Sequence, residues 1–114
     1  MSGKGREAQS MIETTTDEIP GKKITKILGV VRGNTIRARG VGGDFVAGIE
    51  KIFGGQITAY ITALNEAREE AYRKMLDEAE KLGADAVVGV RFVTAEVMTG
   101  SAEILVYGTA VKLG

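Results

Sequence analysis

The sequence predicts an α+β fold: an antiparallel sheet of two β-hairpins packed on one long and one short helix, in the order ββααββ. Three observations carry this. Stretches rich in valine and isoleucine lie at both ends of the chain, each interrupted by a glycine pair residue such as Gly33-Asn34 or Gly100-Ser101. Between them, Gln56 to Leu82 repeats apolar residues at helical spacing. At 114 residues the chain is long enough for one domain, with a modest share of its surface hidden from water.

Residues 1–10, MSGKGREAQS, are small and polar and are expected to be a disordered tail or tag, with Met11 opening the domain of residues 11–114. Ile12 to Thr16 is β-prone, and Asp17 to Gly21 forms a turn through Pro20 and Gly21. Lys23 to Val31 reads as a strand. Gly33-Asn34 is then expected to turn the chain back, with Thr35 to Arg39 as the second arm of the first hairpin. After Gly40-Val-Gly-Gly43, Asp44 caps a short helix, Phe45 to Phe53, which Gly54-Gly55 ends.

The long helix has an apolar stripe of Ile57, Tyr60, Ile61, Leu64, Ala67, Ala71, Met75, Ala79 and Leu82. Its outer face carries Glu69–Arg73, Glu70–Lys74 and Asp77–Lys81 at i,i+4 with the acid first, the better orientation. Gly83 follows as its C-terminal glycine. Ala86 to Met98 and Ala102 to Leu113 form the second hairpin.

A sheet covered on one side alternates apolar and polar residues. The second hairpin does not: Ala86, Val88, Val90 and Phe92 fall on one face, and Val87, Gly89, Arg91 and Val93 on the other. Both faces call for burial, and one long helix covers only one. Either the short helix covers the second face, or other copies of the chain do. Closed rings bury such surfaces and remove sheet edges. Arg32 and Arg91 then sit in strands that look interior. They are tolerable there if paired with a carboxylate across an interface, Glu96 and Glu103 being the natural partners, or if they line a solvent channel.

Composition excludes several functions. The chain has neither Cys nor His, so thiolate or imidazole metal sites and Ser-His or Cys-His nucleophile pairs are impossible. Fifteen basic residues balance fifteen acidic ones, which argues against nucleic acid and anionic membranes as partners. No apolar run reaches membrane-spanning length and no secretory leader is visible, so the expected location is cytoplasmic.

The candidate ligand or anion residues are Arg32, Arg37, Arg39 and Arg91, the middle pair beside a glycine-rich bend and a helix N-terminus. That bend lacks the Gly-Lys-Ser/Thr of a P-loop, and the Asp44 carboxylate competes for its N–H groups. The candidate metal residues are Glu96, Met98 and Glu103, close to one another across the second hairpin. No catalytic set is found.

The strings TTTDEIPG, ILGVVRGNTIRAR, GADAVVGVRF and AEILVYGTAVKL, in this order, resemble the YbjQ-like family, whose catalogue label is heavy-metal binding. The resemblance spans Met11 to Leu113. It implies a dodecin-like subunit assembled as a ring, with a pentamer as the expected size, and no enzymatic activity. Soft metals prefer thiolate and imidazole, so neither side-chain type needed for the label is here, and no cofactor is identified. The expected function is therefore that of a non-enzymatic ring-forming protein that binds a metal or small ligand, with itself as partner. The alternative is a protein–protein interaction or structural module without a ligand.

Overall fold

The structure is a computed structural model that describes residues 11–37, 56–98 and 101–114. Four strands, β1 (Ile12–Glu13), β2 (Ile24–Arg37), β3 (Ala86–Met98) and β4 (Ser101–Leu113), and one helix, α1 (Gln56–Lys81), make an α+β fold. The sheet order is β1-β3-β4-β2. β3 and β4 are antiparallel neighbours, as are β4 and β2, while β1 pairs in parallel with Ala86 and Val87 of β3. The sheet is thus mixed rather than wholly antiparallel. The expected short helix, Phe45 to Phe53, lies outside the described residues.

The first hairpin is not formed. β2 runs unbroken through Gly33-Asn34, and its partner along that whole length is β4. Gly33 serves a different purpose from a turn. A Cβ placed there would stand 2.1 Å from the Ala71 carbonyl oxygen and 2.6 Å from the Met75 backbone nitrogen. The missing side chain lets α1 lie directly on the strand. The small residues Ala67, Ala71 and Ala79 keep the helix surface equally shallow, and with Met75 all four are fully buried.

They pack on Val31, Val87, Val90, Ile104, Val106 and Ala110. Beneath the helix, the buried Thr35 hydroxyl donates to the Ala67 carbonyl at 3.0 Å, so no polar group is stranded there. The ends of the predicted stripe are not core. Ile61 and Leu82 are about half exposed.

A second, smaller cluster lies on the opposite face: Ala86, Val88 and Val111, covered by Ile12, Ile19, Ile24 and Leu113. The chain between β1 and β2, expected to be only a turn, is therefore a strap across one end of the outer face. It is tied to β3 at Gly89, whose φ of +64° gives the strand a bulge. Gly89 N–H donates to Thr16 O at 2.9 Å and Val90 N–H to Thr14 O at 3.0 Å.

Gly33→Val should cost about 3 kcal/mol or more, since the added atoms meet helix backbone that cannot step aside. A turn at this position would tolerate the change at a smaller cost. Urea unfolding of the two proteins distinguishes these outcomes.

Candidate functional site: the outer face of the sheet

α1 lies over β2 and β4 and hardly touches β3. No described element covers the face away from the helix beyond the strap. Strand register arranges it in cross-strand rows: Arg32, Tyr107 and Arg91; then Asn34, Leu105 and Val93; then Ile36, Glu103 and Ala95. Val30 is 68% exposed in the middle of β2, and Ile36 is 55% exposed near its end.

The two arginines that looked misplaced in the sequence thus share one row, either side of Tyr107. Their roles differ. The Arg91 Nη1 donates to Thr15 O and to Val90 O, both at 2.9 Å, and so clamps the strap onto β3. The Arg32 side chain has no ion-pair partner among the described residues.

Arg37 is not part of this row. It lies on the helix side, where its Nη2 meets the Glu70 carboxylate at 3.3 Å. Lys74 approaches the same carboxylate at 3.5 Å. The Arg37 hydrogen bond, with help from Lys74, holds the Glu70 carboxyl below its usual range against the opposing pull of desolvation. Arg39 lies outside the described residues. The three described candidate arginines therefore do not form one anion site: two share the outer face and one is engaged by the helix.

The metal candidates are also separated. Glu96 stands opposite Ala102, and Glu103 opposite Ala95, so alternation along the strands sets the two carboxylates on opposite faces. Glu103 accepts a 2.9 Å hydrogen bond from Asn34 Nδ2. Of Met98, the backbone pairing with Ser101 is described. No group of three or more His, Cys, Asp or Glu residues is placed to hold a metal among the described residues.

One feature was not singled out from the sequence. On the helix side of β3, the rings of Phe92 and Tyr72 stack with centroids 5.9 Å apart and planes 6° apart. The Tyr72 hydroxyl bonds the Glu13 carboxylate at 2.5 Å, joining β1, β3 and α1. Burial, then the Glu13 hydrogen bond, pushes the Tyr72 phenol well above its ordinary value. The residues are far apart in the chain, at 13, 72 and 92, and no local pattern connects them.

The family model described as "Putative heavy-metal-binding", YbjQ, matches residues 11–114. The chain belongs to the YbjQ family. It is 56% identical over 103 residues to a UPF0145 protein of Methanosarcina acetivorans, covering 90% of this chain and 97% of that one. It is 53% identical over 105 residues to a UPF0145 protein of Archaeoglobus fulgidus, covering 92% and 97%. In fold it is similar to a crystal structure of a DUF74-family protein of unknown function from Pediococcus pentosaceus. The TM-score there is 0.61 at 18% identity, over 91% of this chain and 98% of the other.

This YbjQ chain does not suit the soft metals its family label names. It has no thiol and no imidazole, and the carboxylates proposed as substitutes face apart. No helix among its described residues is long and apolar enough to cross a membrane.

Two tests follow from this geometry. Arg91→Ala frees one end of the strap and should cost about 1 kcal/mol. Hydrogen exchange should quicken first at the Gly89 and Val90 amides. The raised Tyr72 value makes its contribution to stability complete below about pH 10 and lost as pH rises further, because the unfolded phenol ionises first. Stability of Tyr72→Phe should accordingly fall less steeply than that of the parent in alkaline melts.

Proposed function

We propose that this YbjQ-family chain is a cytoplasmic, non-enzymatic protein that assembles with copies of itself into a closed ring, with a pentamer as the expected size. Its contacts hold a small ligand or ion rather than a soft heavy metal. One observation carries the reading: the outer sheet face beyond the strap exposes Val30 and Val93 within their strands and Ile36 near the end of β2. Isolated surface residues of this kind need no explanation, but here three share one sheet face, the pattern of a contact site.

Arg32 and Tyr107 add a cation and a hydroxyl within that apolar ground, which favours an anionic or polar small ligand at the contact. The absence of His and Cys from the sequence bears against acyl-transfer chemistry that needs either residue.

Native mass spectrometry of the purified protein tests the reading in one measurement. A single multiple of the subunit mass, with retained ligand mass in fixed proportion, supports it. A monomer at micromolar concentration overturns it. A bare chain that captures one partner protein favours the interaction-module alternative instead.

A further inference from the structure

We propose that this self-assembly joins unlike surfaces. The β3 arm of one copy, Phe92 to Val97, docks on the outer sheet face beside β2 of the next copy, and Glu96 of the first pairs with Arg32 of the second. The inference rests on the self-assembly reading and specifies its contact.

The two free edges of the sheet are treated differently. The β2 edge is blunted by the helix: Glu78 Oε1 accepts from the Arg32 backbone N–H at 3.1 Å, and Lys74 Nζ donates to Asn34 O at 3.1 Å. Side-chain caps of this kind discourage another strand from adding there. Among the described residues, β3 beyond Arg91 has no such cover. Its partner β1 reaches only Ala86 and Val87, and every residue from Arg91 to Val97 is exposed. Phe92 is 49% exposed on the helix side, and Val93 and Val97 remain exposed as well. From Phe92 to Val97 the run is β-prone with one charge, largely exposed on both faces, and such a run is an aggregation hazard unless a specific partner covers it.

Charge identifies that partner as a second copy. Among the described arginines and glutamates of the sheet, most are engaged within the chain. Arg37 holds Glu70, Arg91 holds the strap, Glu13 binds Tyr72 and Glu103 accepts from Asn34. Arg32 and Glu96 remain, one of each sign, each beside exposed apolar residues. They cannot meet within one chain. Arg32 stands level with Tyr107 on the outer face, and Glu96 level with Ala102 on the helix face, roughly 17 Å further along the strands. A pair between two different surface patches is heterologous, the type of contact that closes rings.

A charge-reversal cycle tests this. Arg32→Glu and Glu96→Arg should each raise the concentration needed for half-assembly about tenfold or more, and the double reversal should restore it. Both positions are exposed, so urea midpoints measured below the concentration of half-assembly should stay unchanged; if a reversal impairs folding, Arg32→Gln and Glu96→Gln replace it in the cycle. Parent-like assembly of both single variants overturns the inference while leaving self-assembly intact. A double variant as weak as the sum of the singles overturns it too. A monomeric parent protein removes the self-assembly reading itself.

Discussion

The contact between Gly33 and the backbone of α1 is the constraint from which the rest of the structure follows. Because the helix rests on β2 without intervening side chains, it is seated over one side of the sheet. A helix is about 10 Å across and strands are spaced about 4.8 Å apart, so one helix covers roughly two strands. Seated over β2 and β4, α1 reaches β3 only in part, through Tyr72 against Phe92 and the shared core at Val87 and Val90. The alanines at 67, 71 and 79 reinforce the choice, since a shallow helix surface packs best on the strand that also lacks a side chain.

The remaining apolar surface is then shared between two solutions. At the Ala86 end, the strap covers the outer face through Ile12 and Ile19, and Arg91 locks it in place. At the other end nothing described covers β3, and apolar side chains stand in water on both of its faces. The same sheet is finished at one end and unfinished at the other. Burying the remaining surface removes apolar area from water at about 25 cal/mol per Å². This gain is available only from another molecule or from an arrangement not made by the strap and α1.

The distribution of charge follows the same division. Where helix and loops pack on the sheet, charged groups are matched inside the chain, as with Arg37 and Glu70 or Lys112 and Asp85. Where the sheet is unfinished, Arg32 and Glu96 are left over. The family's metal label finds no support in this pattern: a metal centre gathers donors into one place, and here alternation along β3 and β4 spreads the carboxylates over two faces.

The helix was legible in the sequence because its signal is local: Ala67, Ala71, Met75 and Ala79 recur at helical spacing and all are buried. The β3–β4 pairing was legible for the same reason, through a short link between two apolar runs. The continuity of β2 was not. Gly33-Asn34 satisfies the local rule for a turn, and what overrides that rule is Ala71 and Met75, nearly forty residues away. The strap, the Tyr72–Phe92 stack and the separation of Glu96 from Glu103 are equally non-local. The sequence by itself determined the long helix and the β3 and β4 strands, that both faces of the ribbon are apolar, and that thiolate and imidazole chemistry is absent. Only the tertiary structure decided which strands neighbour one another, which glycine admits the helix and which charges are left unmatched, because register and packing are properties of contacts between distant residues.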